Sequence, residues 1–175
     1  MGLDMYLEAR LYLPPYDEAL ASIRAAIGKA IGYVPPAEKP DNDSTLLEVT
    51  GVSVRVGYWR KFDPLHQWFV NNVQEGHDDC RPASVSSEVL TKLEEQLNQV
   101  DDNPQSAGKH FIIEDDSTLD EGDVHYTLKV LVHAKRLQER GWDIYYRASS
   151  YGATHTLNAH QRLADACAWV GPFRP

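Results

Sequence analysis

Residues 57–70 gather Tyr58, Trp59, Arg60, Lys61 and His66 into fourteen positions that also hold Trp68 and Phe69. Aromatic faces stack on flat rings and attract cations, while guanidinium and imidazole groups make charge-assisted hydrogen bonds to anions. That combination suits a nucleotide-like or phosphorylated small ligand. Asp63 and Pro64 then open a helix, and a strand that feeds a helix N-terminus aims backbone N–H groups at any bound anion. The candidate ligand-binding set is therefore Tyr58, Trp59, Arg60, Lys61 and His66, with Arg10, Asp4 and Tyr6 added from the polar side of the first strand. His66 is also the best candidate for an acid–base group, provided the fold brings Asp4 or Glu8 to it. The competing arrangement is plain packing. Trp59, Trp68 and Phe69 would fill the core, Arg60 and Lys61 would stay in water, and His66 would be hydrogen-bonded inside.

Other chemistries are less well supported. His77, Asp79 and Cys80 could meet His155, His160 or Cys167 if the tail folds back. Their spacing matches no zinc module, so no metal and no cofactor is assigned. The acidic run from Asp115 to Asp123 lacks the D-x-D-x-D-G order of a calcium loop. Ser149 and Ser150 follow a strand without a G-x-S-x-G elbow, and Cys80 has no catalytic signature around it. His110, His125 and His133 are scattered. No phosphate-binding G-x-x-x-x-G-K-[ST] loop is present.

The elements that must position these residues follow from periodicity. Leu3, Met5, Leu7, Ala9, Leu11 and Leu13 alternate with polar residues, which predicts a strand with one face on the core. Pro14 and Pro15 end it. A helix is expected over about 16–31, stopped by Gly32. Residues 46–58 read as a hairpin or one bent strand, with Val52, Val54, Val56 and Tyr58 on one face and Ser53, Arg55, Gly57 and Trp59 on the other. Asp63 is expected to cap the next helix, which stops at Gly76 and turns Leu65, Trp68, Phe69, Val70 and Val73 inward. On this wheel His66 lies on the apolar side, and Gln67, Asn71 and Gln74 face away. Ser86 or Ser87 opens a third helix to Val100. A short strand is expected at 109–113, an acidic loop at 114–123, a helix from Val124 to Gly141, a strand at 142–147 and a weak helix at 157–170. The fold class is α+β: a single domain at 1–150 with a small, mostly antiparallel sheet covered by helices, and a C-terminal extension at 151–175 packed on it.

The net charge of −9 over 175 residues argues against direct nucleic-acid binding, which depends on Lys and Arg neutralising phosphates. Two distant cysteines define no disulfide framework. Neither a secretory pattern nor a run of about 20 apolar residues is visible, so a cytoplasmic protein with no membrane association is expected. The opening MGLDMYL, the GYWRK stretch with HQWFV and NNVQ after it, the Asp78-Asp79-Cys80 element and the YYRASS segment together resemble a family of small, uncharacterised proteins of bacteriophages and prophages. The resemblance spans residues 1–150. It implies a phage-type accessory protein in the bacterial host cytoplasm, bringing no defined activity or site residues. The expectation is a non-enzymatic binding module for a host protein or a nucleotide-like ligand, with anti-defence or host-modulating use and an open oligomeric state. Two alternatives stand beside it. One is a small enzyme acting on a nucleotide or phosphoester through His66, and the other is an acidic DNA mimic.

Overall fold

The computed structural model describes residues 2–32, 49–78, 80–113 and 119–151. Strand β1 (Gly2–Tyr12) puts Met5, Leu7 and Ala9, each fully buried, on one side, as strict alternation requires. With β2 (Gly51–Arg60), β3 (Ala83–Ser84) and β4 (Asp143–Tyr151) it forms an antiparallel sheet of order β2-β1-β4-β3. The other layer is helical, made of α2 (Asp63–Val73), α3 (Ser87–Asp102) and α4 (Glu121–Gln138). Leu65 and Phe69, then Leu90, Leu93 and Leu97, then Val130 and Leu131 meet Met5, Leu7, Trp59, Ile144 and Tyr146 in one core. All of these strand residues belong to the inner face. Asp4, Tyr6, Glu8 and Arg10 point the other way, and no residue of that outer face joins the core. This is the expected α+β arrangement.

Helix α1 (Ala21–Ala30) is shorter than the expected 16–31. The two prolines are followed by a turn, and Asp17 caps a 3₁₀ segment at Glu18–Leu20 before the helix begins. Arg24 ties it back to the carbonyls of Pro14, Pro15 and Asp17. Gly32 ends it in the left-handed region, as expected.

Several local expectations need correction. Asp63 does not cap α2. It is the first helical residue, and the capping position is held by Phe62, whose side chain is buried in the core. Asp63 instead places a negative charge in the first turn, where the helix dipole favours it. Gly76 still ends the helix, with φ 81° and its N–H on the Val70 carbonyl. Gln74 does not face away but is buried at the helix end, because the chain there has already left the helical path. Residues 109–113 are not a strand. Asn103 and Pro104 start a 3₁₀ segment, Pro104–Lys109, and Phe111 then drops into the core. The last residues of the acidic run, Glu121 to Asp123, are the first turn of α4, capped by Asp120. β4 continues to Tyr151, past the expected end at 147. The tail beyond it and residues 114–118 lie outside the described residues.

The most consequential departure is in β2. Leu7 pairs with Gly57 but Glu8 pairs with Arg55, so Val56 has no residue opposite it. A bulge of this kind shifts the alternation by one. Val54 therefore shares the inner side with Trp59, and Arg55 shares the outer side with Tyr58, reversing the expected grouping across the bulge. Gly57 sits where α4 crosses the strand. A Cβ there would lie 2.6 Å from Val130 Cγ1 and 2.7 Å from the Trp59 ring, so glycine sets the close approach.

Candidate functional site

The outer face of the sheet is built from three strands in register. Across β1 and β2, Asp4 faces Arg60, Tyr6 faces Tyr58 and Glu8 faces Arg55. Across β1 and β4, Asp4 faces Ser149, Tyr6 faces Arg147 and Glu8 faces Tyr145. Directly opposed residues place their Cβ atoms about 5 Å apart, close enough for side chains to interact. The Tyr6 and Tyr58 ring centroids are 5.4 Å apart. Arg55 lies 4.9 Å and Arg147 4.6 Å from the Tyr6 centroid, and Arg10 lies 4.5 Å from that of Tyr145. The result is a lattice of tyrosine rings interleaved with guanidinium groups.

Carboxylates hold this lattice in place. Glu8 accepts from Arg10 Nη2 at 3.0 Å and from Arg147 Nε at 3.0 Å. Partial burial pushes the Glu8 carboxyl up, but the two arginine hydrogen bonds and charges outweigh it and hold the group below the usual carboxylate range. Asp4 accepts from the Tyr58 hydroxyl at 2.7 Å and lies 4.0 Å from Arg60 Nε. The bond to Asp4, with a smaller contribution from desolvation, raises the Tyr58 phenol above its usual range. Arg55 makes no ion pair among the described residues, and Arg60 is 67% exposed. An incoming anion would find both guanidinium groups accessible.

Two of the expected ligand contacts are elsewhere. Trp59 is buried on the inner face, where its Nε1–H donates to Thr127 Oγ1 at 2.9 Å and its ring meets Tyr126 edge-on. It is a core residue and offers no stacking surface. His66 is 4% exposed, on the apolar side of α2 as the helical spacing indicates. Its Nε2 lies 3.1 Å from Asp78 Oδ2 and its Nδ1 2.7 Å from the Tyr146 hydroxyl. A carboxylate can only accept, so Nε2 donates to Asp78, and in the neutral ring the Tyr146 O–H donates to Nδ1. Burial, followed by the charges of Asp78 and Cys80, raises the Tyr146 phenol and keeps its hydroxyl protonated. The Tyr146 ring stacks on Phe69 with centroids 4.0 Å apart. Both His66 nitrogens are thus engaged inside the protein, and neither Asp4 nor Glu8 reaches them. The acid–base role expected for His66 has no substrate-facing atom.

The fold therefore divides the candidate set. Tyr58 and Arg60 come together with Asp4 and Tyr6 on the outer face. Lys61 lies beside them at the end of β2, exposed, in the left-handed conformation (φ 57°), with its N–H on the Leu3 carbonyl. Arg10 is on the same face but farther along β1, opposite Ser53 and Asp143. Trp59 and His66 are on the other side of the sheet. Arg55, Arg147 and Tyr145 complete the surface and were not anticipated. Arg147 and Tyr145 could have been found only from the pairing of the first strand with the last. Among the described residues no three His, Cys, Asp or Glu side chains are close enough to hold a metal ion, and Asp79, His155, His160 and Cys167 lie outside them. No described helix is long and apolar enough to cross a membrane. No family model matches the chain, and no curated protein or solved structure matches it.

Proposed function

We propose that the protein is a non-enzymatic binding module whose recognition surface is the outer face of the sheet, and that it takes a nucleotide-like ligand there. The observation that carries this reading is the Tyr6–Tyr58 pair flanked by Arg55, Arg60 and Arg147 on a face that contributes nothing to the core. The exposed Tyr58 ring gives a base a surface to stack on, and accessible guanidinium groups give phosphate oxygens planar, paired donors. Confined to a few arginines in an otherwise acidic chain, the positive charge fits a small anion better than a long phosphate backbone. Placement among phage accessory proteins, with anti-defence or host-modulating use in the bacterial cytoplasm, rests on motif resemblance alone.

Isothermal titration calorimetry with AMP and ATP tests the reading. Saturable binding is expected for the wild-type protein and its loss in a Tyr6→Ala/Arg55→Ala double variant, with the far-UV spectrum unchanged. Absence of heat for both nucleotides with the wild-type protein would overturn the ligand class.

A further inference from the structure

Among the described residues the sheet also presents an uncovered edge, distinct in direction from its outer face. β2 is an outermost strand, ten residues long, and its backbone groups alternate between β1 and the outside. The N–H of Lys61 bonds the Leu3 carbonyl and the carbonyl of Thr50 accepts from Leu13, which fixes the inward positions at the two ends. Counting through the bulge, Arg60, Tyr58, Arg55, Ser53 and Gly51 are the residues whose N–H and C=O point outward, and Tyr58, Arg55 and Ser53 form the middle of that edge. At Tyr58 the protein supplies its own partner: the N–H donates to the Tyr126 hydroxyl of α4 at 3.1 Å. At Ser53 and Arg55 the outward groups have no hydrogen-bond partner among the described residues. A free strand edge of this kind is a template for another strand, and proteins usually blunt it.

Side chains along the same stretch specify what would pair with it. Val54 faces the inner side, opposite Ala9 on β1, yet is 38% exposed. Arg55 projects from the outer side with no carboxylate partner among the described residues. A second copy of this strand would offer Arg55 only glycine, serine, tyrosine or another arginine on that side, and no carboxylate to answer the charge. We propose that the β2 edge at Ser53–Arg55 takes up an extended segment of a partner protein as a further strand. That segment carries an apolar residue opposite Val54 and a carboxylate opposite Arg55. Main-chain hydrogen bonds at Ser53 and Arg55 provide the affinity, and the alternating side chains provide the choice of partner. The edge shares Arg55 with the nucleotide face but adds main-chain groups at Ser53 that the face does not use, so Ser53→Pro separates the two functions.

The probe is a fluorescein-labelled ten-residue peptide alternating valine and glutamate, followed by fluorescence polarisation. Ser53→Pro removes only an outward N–H, which an edge strand tolerates, and leaves the bonds to β1 intact. It should weaken peptide binding at least tenfold while retaining the far-UV spectrum and nucleotide binding. Arg55→Glu should lose the glutamate peptide by a similar factor and gain a peptide with lysine in its place. In the wild-type protein the amide protons of Ser53 and Arg55 should exchange at least tenfold more slowly once the peptide is bound. Three results would overturn the proposal: no saturable binding by the wild-type protein, binding by Ser53→Pro within twofold of wild type, or a wild-type dimer in sedimentation that Ser53→Pro dissociates.

Discussion

On the inner side of the sheet, Trp59 and His66 find their polar partners within the protein. The Trp59 indole is held by Thr127, whose own hydroxyl donates to the Asp123 carbonyl, and the His66 ring bridges Tyr146 and Asp78. On the outer side the same three strands carry arginines that lie over tyrosine rings, and Arg55 and Arg60 keep access to water. One backbone thus supports two chemistries, because alternate side chains experience different surroundings. The lesson concerns aromatic residues in particular. Tyr58 and Trp59 are neighbours in sequence, but one belongs to the solvent-facing side of the sheet and the other to the core.

That contrast can be tested by substitutions that should affect stability on one side and binding on the other. The largest effect is expected for Phe69→Ala, which empties the space under the Tyr146 ring. A fully buried phenylalanine truncated to alanine costs about 3–5 kcal/mol, read from the urea midpoint. Next comes Gly57→Ala, whose methyl would press on Val130 and Trp59. Overpacking of this kind costs about 1–3 kcal/mol, and a Val130→Ala background should recover part of it. Trp59→Phe should cost about 1–2 kcal/mol and leave nucleotide binding unchanged; a tenfold loss of affinity would return Trp59 to the site. Arg60→Ala on the outer face should shift stability by less than about 0.5 kcal/mol while weakening nucleotide binding.

Glu8 on the same face adds a pH signature. Its folded carboxyl titrates below the unfolded one, whose ordinary value is 4.5, so its contribution is complete above that value. The contribution fades as pH falls through the lower folded value. Wild type should therefore exceed Glu8→Gln by about 1 kcal/mol or less at neutral pH, and the two curves should converge in acid. A difference that persists in acid would show that packing, not charge, accounts for it.

Much of this division was legible in the chain. The alternation from Leu3 to Leu13 identified both faces of β1, and the helical spacing from Leu65 to Val73 placed His66 on the dry side of α2. What alternation could not reveal was the extra residue at Val56. A bulge is a property of pairing, and the β2 sequence alone continues its period of two across it. The grouping of Tyr58 with the valines followed from that, and Arg55 was assigned to the wrong side. Tyr145 and Arg147 escaped for a related reason: their neighbours are Glu8 and Tyr6, more than a hundred residues earlier. The strand expected at 109–113 is absent because the apolar run Phe111–Ile113 is too short to tell a strand from an irregular segment that drops one ring into the core.

The central pair of the sheet joins Gly2 to Tyr151, the first and last residues of its strands. During synthesis β1 can find β2 early, but its other edge stays empty until β4 has left the ribosome. Pairings between residues so distant in sequence close the longest loops and slow folding. For most of its production the chain therefore presents an unfilled strand edge beside an unsealed apolar face, which is when aggregation competes best. Truncation before Asp143 would make that interval permanent, so the solubility of nascent or shortened forms depends on nine residues near the far end of the described chain.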